Sequence, residues 1–250
     1  TEYPHIDARK GLSDLQWIQY QLDNFATVDE VIASDKNIRI SVRYAIPLHF
    51  LVCDRTGRAA TIEFLAGEMV AHTQDDLPAT VLTNNTCKYS IRLFTVFDGD
   101  ETISVFDAAD YSLKRFVWAA QGVHNWNPKT CGPPVRYAFN ILDKVSMDFT
   151  VFRIVYDVGN NHIYFKTKSN PNMRFINVNK FNFSCDTPVK IMDISTGNEG
   201  DVTPLFSDYT YEANYDLIFR SFSETEFLKN IPEQVLETRA QYPETLPCEE

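Results

Sequence analysis

The feature of the sequence that most restricts its fold is a stretch in which the hydrophobic period changes to two. Three segments, Leu48–Cys53, Ala60–Leu65 and Glu68–His72, have the alternation of strands whose successive side chains face opposite sides of a sheet. Each of the two short connections between them contains a glycine, the residue that most easily adopts the backbone of a tight turn. The pattern predicts three consecutive antiparallel strands of one sheet.

Helical periodicity lies on both sides of this meander. Between residues 12 and 34, apolar side chains recur at three- and four-residue steps, and Ser13 or Gly11 can begin the helix. Thr27 followed by Glu30 has the form of a capping box that opens a second short helix. The same periodicities predict helices at 111–123, 134–145, 211–222 and 224–229, and strands at 79–83, 151–156, 163–168, 173–178 and 189–194. The segment 231–250 is rich in proline and glutamate and is predicted to be a surface tail. This order does not alternate as βαβ units do, and it suits antiparallel sheets with helices packed outside them, in one large domain or two small ones.

Composition and motif content exclude several classes of function. The formal net charge is −11 and no basic cluster stands out, which argues against a nucleic-acid partner. No apolar run approaches the roughly 18–20 residues that a membrane span needs. The five cysteines form no C-x-x-C pair, and their odd number argues against a full disulfide framework. The five histidines are dispersed, and His49 and His72 are predicted to be ordinary strand residues rather than metal ligands.

The meander carries a resemblance to a known family. It reads LHFLVCDRTGRAATIEFLAGEMVAH, followed by LPATVLTNN, and is similar to the hairpin and "LTN" segment of the choloylglycine hydrolase / penicillin V acylase family. The helix over 15–31, the segment Lys114-Arg115-Phe116, and the strand pair at 155–157 and 163–167 resemble further segments of that family in the right order. Together they cover most of residues 12–210.

The resemblance implies a fold and a chemistry. The family fold, of the α+β class, is a four-layer αββα sandwich of two antiparallel sheets, the Ntn-hydrolase fold. The resemblance implies that this chain forms a single domain of this fold over residues 1–250, incomplete at the N-terminus because the nucleophile segment is missing. A cysteine at the mature N-terminus attacks a linear amide, and its own α-amino group is the base, so that no separate histidine is required. We therefore expect no cofactor and no metal, a small-molecule amide substrate, a homo-oligomer, and neither nucleic acid nor membrane as a partner.

Two residues of this chain match functional positions of the family. Asn84 matches the asparagine of "LTN", whose amide helps to form the oxyanion hole; alternatively it is a turn residue that caps a strand end. Arg115 matches an active-site arginine; alternatively it is a solvated helix arginine. The family's nucleophile, with an arginine and an aspartate near it, has no counterpart here. Thr1 is a second possible N-terminal nucleophile, which we disfavour because an early proline follows it.

Two hypotheses about function follow. The first is a hydrolase of a linear amide C–N bond, in conjugated bile salts, penicillin V or a related N-acyl amide, which works only with a front segment that this chain lacks. That segment would be a second chain of the same protein or part of an uncut precursor. The second is a non-catalytic fragment or acyl-binding module of the same fold.

Overall fold

The computed structural model describes residues 2–41, 47–96, 110–195 and 197–246. They form two compact units, residues 1–148 and residues 149–250. In unit 1 the elements are β1 (Lys10–Leu12), α1 (Asp14–Asn24), α2 (Val28–Ala33), β2 (Ile38–Ile40), β3 (Phe50–Cys53), β4 (Ala59–Leu65), β5 (Glu68–Thr73), α3 (Cys87–Val96), α4 (Tyr111–His124) and α5 (Pro134–Lys144). The single domain over 1–250 stays a prediction.

The predicted meander is confirmed as the three-stranded antiparallel sheet β3-β4-β5. The first strand begins at Phe50, two residues later than expected. Ala66 and Gly67, the two residues between β4 and β5, both have positive φ, 52° and 82°. Two residues of positive φ match the right-handed twist of the flanking strands, and this sets the register in which Leu65 faces Glu68.

One face of this sheet packs against the N-terminal helices. The core contains Trp17 of α1, Val31 of α2, and Ile62 and Phe64 of β4. The Trp17 and Phe50 rings stack with their centroids 4.6 Å apart. Both helices begin at complete capping boxes, which satisfy two amide groups that the helix itself leaves unpaired.

The predicted cap residues hold these capping boxes. The Ser13 hydroxyl accepts the Gln16 amide hydrogen, while the Gln16 side chain accepts the Ser13 amide. Thr27 and Glu30 make the equivalent pair of bonds at the start of α2. The predicted helical segment over 12–34 is therefore two helices that the second capping box separates, as the sequence indicated.

The strand predicted at 79–83 is absent from the described residues, and a helix that was not predicted, α3, follows it. Ala79 and Val81 are buried, but the Val81 amide donates to the Ala79 carbonyl at 2.8 Å, so that the backbone turns locally. Their side chains pack with Phe116 and Ala120 of α4. The apolar alternation therefore reflected contact with a helix rather than pairing with a neighbouring strand.

Unit 2 has a second sheet. Its elements are β6 (Phe152–Asp157), β7 (His162–Thr167), β8 (Arg174–Asn177), β9 (Lys190–Ile191), β10 (Gly200–Asp201), β11 (Ser207–Asp208), α6 (Tyr211–Ser223) and α7 (Glu233–Gln241). The strand order is β10-β8-β7-β6, antiparallel except between β8 and β10, while β9 pairs with β11. The fully buried Arg174 guanidinium donates to the Ile194 carbonyl at 2.6 Å and lies over the Phe165 ring.

Three predictions for unit 2 require correction. The helix predicted at 224–229 is a series of turns, and the strand predicted at 189–194 is reduced to two residues. The segment expected to be a surface tail contains α7, in which Leu236 and Ala240 are buried. The Asn214 side chain of α6 donates to the Ala240 carbonyl at 2.8 Å, which ties the segment to its neighbour. No helix in the described ranges is long and apolar enough to cross a membrane.

A carboxylate at the edge of the second sheet predicts a specific acid sensitivity. Lys180 Nζ lies 2.6 Å from Asp201 Oδ2, and the Thr203 amide donates to the other carboxylate oxygen. The hydrogen bonds from Lys180 and, to a smaller extent, from Thr203 lower the pKa of Asp201 from its ordinary value of 3.8 to about 2. Because the native pKa is the lower one, this contribution to stability is present above pH 3.8 and is lost as the pH falls through about 2.

We expect Asp201→Asn, which keeps an acceptor for the Thr203 amide, to flatten the dependence of the unfolding free energy on pH in that window. The measurement is urea unfolding from pH 5 down to pH 2, with the exposed Asp216→Asn on α6 as the matched control. Equal pH dependence in the two variants would contradict the assignment.

Candidate active site

Asn84 lies in a short loop that is tied to the beginning of α4. Its amide donates to the Ser112 hydroxyl at 2.9 Å, and that hydroxyl in turn donates to the Thr83 hydroxyl at 3.2 Å. The neighbouring Asn85 side chain donates to Asp110 at 3.2 Å. Asp110 is also the N-cap of α4, because its second oxygen accepts the Leu113 amide at 3.1 Å. These bonds fix the loop backbone against the first turn of the helix.

The side chain of Asn84 is not used by this network. Asn84 is exposed, and its carboxamide has no hydrogen-bond partner among the described residues. An asparagine that stabilises a turn normally bonds with its own side chain to a nearby backbone group. Here the side chains of Asn85 and Ser112 hold the loop, so the side-chain carboxamide of Asn84 is available as a donor to a ligand.

Arg115 lies on the same helix, one turn beyond the hydroxyl that holds Asn84. Residues three apart share one face of an α-helix, so Ser112 and Arg115 are neighbours on α4. Arg115 is partly buried, and its Nε is buried without a hydrogen-bond partner in the described part of the chain. Its neighbour Phe116 is fully buried in the helix core, which fixes the rotation of α4. Arg115 is therefore only partly solvated.

The first turn of α4 therefore connects the two predicted site residues. Ser112 contacts the Asn84 loop directly, and Arg115 follows three positions later on the same face. Their roles in catalysis stay predictions.

A buried acid–base group that the sequence did not single out lies next to this loop. Glu63 of β4 is 1% exposed, and both its oxygens lie 3.1 Å from the Cys87 amide at the start of α3. His49 Nδ1 lies 3.3 Å from one oxygen, and His72 Nε2 lies 3.8 Å from the other. The two histidines predicted to be ordinary strand residues therefore face a carboxylate. The available signal was a charged residue in the middle of an apolar strand.

Two thiols of unit 1, those of Cys53 and Cys87, are poorly suited to nucleophilic attack. Burial raises the pKa of the Cys87 thiol, and the neighbouring Glu63 carboxylate raises it further. Partial burial, followed by the charge of Asp54, raises the pKa of Cys53. Nucleophilic cysteines need the opposite, since the thiolate is the reactive form. Cys131 is free and partly exposed, while Cys185 is disulfide-bonded. Thr1, the alternative nucleophile, lies outside the described residues.

Each of the two units contains a cavity. Unit 1 holds a cavity of about 490 Å³ between α3, α4 and α5, with Trp118 and Tyr137 in its lining. An apolar cavity of about 500 Å³ in unit 2 lies between β7, β8 and the 181–190 segment. Neither cavity includes Asn84 or Arg115. Within the described ranges, no group of three or more His, Cys, Asp or Glu side chains could hold a metal ion.

The double role of Asp110 gives a prediction for this site. Asp110→Ala removes the N-cap of α4 and the partner of Asn85 together, and we expect it to lower the unfolding free energy by about 1–2 kcal/mol. Asp110→Asn retains a cap acceptor and should cost only a few tenths of a kcal/mol, or roughly a fifth of that loss. Urea unfolding measures both values. Equal losses in the two variants would show that the carboxylate does not cap the helix.

The comparisons with known proteins agree with this architecture. Residues 2–125, about half of the chain, match the model of the linear amide C–N hydrolases, choloylglycine hydrolase family. A penicillin V acylase from Pectobacterium atrosepticum is 28% identical over 222 residues, which cover 74% of this chain. The chain spans 58% of the length of that relative.

Solved structures of two relatives share the fold. Penicillin V acylase from Agrobacterium tumefaciens superposes with a TM-score of 0.68 at 24% identity, over 84% of this chain and 72% of that protein. A variant of conjugated bile acid hydrolase from Clostridium perfringens superposes with a TM-score of 0.61 at 17% identity, over 84% and 71% of the two chains. The predicted α+β fold class, that of the Ntn hydrolases, is thereby confirmed. With its meander, its "LTN" loop and these likenesses, the chain belongs to the choloylglycine hydrolase family of linear amide C–N hydrolases.

Proposed function

We propose that this chain forms the greater part of an amidase that cleaves the C–N bond of a linear N-acyl amide. Family membership supports the reaction class. The observation that carries the assignment to a site is the exposed carboxamide of Asn84, which has no hydrogen-bond partner in the described ranges and is held through its backbone at the helix that bears Arg115. A rigid backbone with one free donor side chain is the arrangement that transition-state stabilisation requires.

In the proposed reaction, a cysteine thiolate attacks the amide carbonyl carbon and the carbonyl electrons move onto oxygen. The Asn84 Nδ2–H donates to that oxyanion. The C–N bond then breaks, the amine leaves with a proton from the nucleophile's own ammonium group, and a thioester remains. Water attacks the thioester through a second oxyanion and releases the carboxylic acid and the thiol. Arg115 positions the nucleophile and the substrate.

The nucleophile in this proposal belongs to a segment of the complete enzyme that these 250 residues do not contain. The greater length of the Pectobacterium relative supports this, since the chain spans 58% of it. The raised pKa values of Cys53 and Cys87 support it as well, because both thiols stay protonated at neutral pH.

The names of two relatives support a substrate class. One is named a penicillin V acylase and another a conjugated bile acid hydrolase. Both names describe an acyl group joined to an amine through a linear amide, and we propose substrates of this kind, with a homo-oligomer as the working form. A hydrolysis panel of penicillin V, a conjugated bile salt and an N-acyl homoserine lactone distinguishes the acyl groups.

A second candidate function is an acyl-binding module without turnover. The cavity of about 490 Å³ beside α4 supports it, because this volume suits a small ligand. Binding of an N-acyl amide without release of acid or amine by the complete protein would favour this candidate over the amidase.

The oxyanion role gives a direct kinetic prediction. In the complete enzyme, Asn84→Ala should lower kcat by about 10²-fold or more with little change in KM, since the bond forms in the transition state. Asn84→Asp keeps the shape but replaces the donor by a negative charge, and should be at least as impaired. The exposed Asn230→Ala in unit 2 is the matched control. Arg115→Ala should also slow turnover. A near-normal kcat for Asn84→Ala would refute the site.

The origin of the nucleophile can be tested by mass spectrometry. Acid quenching during turnover traps the acyl-enzyme, and peptide mapping should locate the acyl group on a cysteine outside residues 1–250. Cys53→Ala should leave the yield of this adduct unchanged. An adduct on Cys53, Cys87 or the Thr1 hydroxyl would contradict the proposal.

A further inference from the structure

We propose that Glu63 is a positioning residue for Asn84, which acts by holding the amide of Cys87 and thereby the loop that carries the oxyanion donor. The inference rests on the proposed function and adds to it a residue that lies outside the substrate-contacting site. The Glu63 carboxyl group is buried inside a core formed by the sheet and the helices of unit 1.

Burial of a carboxylate is unfavourable unless other groups hydrogen-bond to it or pair with its charge. Glu63 is 1% exposed, and it lies on the central strand of the meander, between β3 and β5. A carboxylate without partners in such a place costs several kcal/mol, and an apolar side chain of the same size would avoid that cost. The partners of Glu63 show what the carboxylate does that an apolar side chain cannot do.

Those partners come from three different parts of unit 1. His49 precedes β3, His72 lies on β5, and Cys87 is the first residue of α3. The two imidazoles hold the carboxylate from the side of the sheet, at 3.3 Å and 3.8 Å. The Cys87 amide donates to both oxygens at 3.1 Å. The carboxylate therefore connects the sheet to the beginning of a helix, where unpaired amide groups and the helix dipole favour a negative charge.

The hydrogen bond between Glu63 and the Cys87 amide lies close enough in sequence to Asn84 to restrict the loop of the candidate site. Asn84 is three residues before Cys87, so the intervening loop is anchored at both ends. At one end, Ser112 accepts the Asn84 amide. At the other end, Glu63 accepts the Cys87 amide. With both ends fixed so close together, the backbone that aims the Asn84 side chain has little freedom.

Precise aim matters for an oxyanion donor. A misplacement of about 1 Å in an active site can cost about 10²-fold in rate. Loss of the Glu63 bond leaves the α4 anchor intact and frees the other end of the loop. The expected result is a defect in turnover rather than in substrate binding.

The test uses the complete enzyme and two isosteric changes on the same sheet. Glu63→Gln keeps the size of the side chain, removes its charge and replaces one acceptor by an amide group. Glu68→Gln, on the exposed first residue of β5, is the matched control. We expect Glu63→Gln to lower kcat per folded active site about tenfold or more, with KM changed less than about twofold. Amide hydrogen exchange at residues 85–90 should become faster in Glu63→Gln and stay unchanged in Glu68→Gln.

A second variant covers the case in which Glu63→Gln does not fold. Cys87→Pro removes the amide hydrogen that Glu63 accepts together with the buried thiol, and proline is well tolerated at the first position of a helix. Cys87→Ala, which removes the thiol alone, is its control. Cys87→Pro should reproduce the loss in kcat, and the double variant should be no worse than either single one. Unchanged kcat and exchange in both variants, relative to Glu68→Gln, would overturn the inference, as would faster exchange with normal kcat.

Failure of the proposed function has a different signature. In that case Asn84→Ala itself would show normal turnover, whatever the exchange data show for the loop. If Asn84→Ala is impaired while Glu63→Gln and Cys87→Pro turn over normally, the proposed site stands and the positioning role of Glu63 is wrong.

Discussion

The organisation of unit 1 depends on β4, the central strand of the meander, which is buried on both of its faces. Alternate residues of the strand face opposite sides, and all five interior positions from Ala60 to Phe64 are buried. Ile62 and Phe64 face the core with α1 and α2. Glu63 points the other way and bonds to the beginning of α3. One strand therefore fixes the elements on both sides, and a shift of its register by one residue would bury the carboxylate in the apolar core.

The two faces of β4 use different physical means. The face that packs against α1 and α2 is held by close contact of aliphatic and aromatic side chains, including the stacked pair Trp17 and Phe50. Such packing supplies stability but tolerates small rearrangements of the chain. The other face uses hydrogen bonds to a charged group, which are directional and fix the position of a backbone amide. The directional contacts lie on the side of the loop that carries Asn84, where the proposed oxyanion role requires precise geometry.

In the candidate site, the residues that hold the backbone in place are different from the two predicted site residues, Asn84 and Arg115. Ser112, Asp110 and Glu63 bind the backbone or the side chain of the 84–87 segment. Within the described part of the chain, they leave the Asn84 carboxamide without a hydrogen-bond partner, at a loop whose position they determine. In the same way, the buried Phe116 fixes the helix that presents Arg115. Preorganisation of this kind allows a donor to act in the transition state without reorganisation at the moment of reaction.

The sequence by itself determined the local structure and the family. The two-residue period and the glycine turns predict the meander, because both act within hairpins of a few residues; the capping boxes at Ser13 and Thr27 are likewise complete within four residues. Long-range contacts decided the rest. The alternation at 79–83 came from packing against α4, and the missed helix α3 begins at an amide that a residue 24 positions earlier accepts. His49 and His72 had no local pattern to distinguish them from other strand residues. Only the folded chain brings them to Glu63, because a buried charge must find its partners wherever the topology places them.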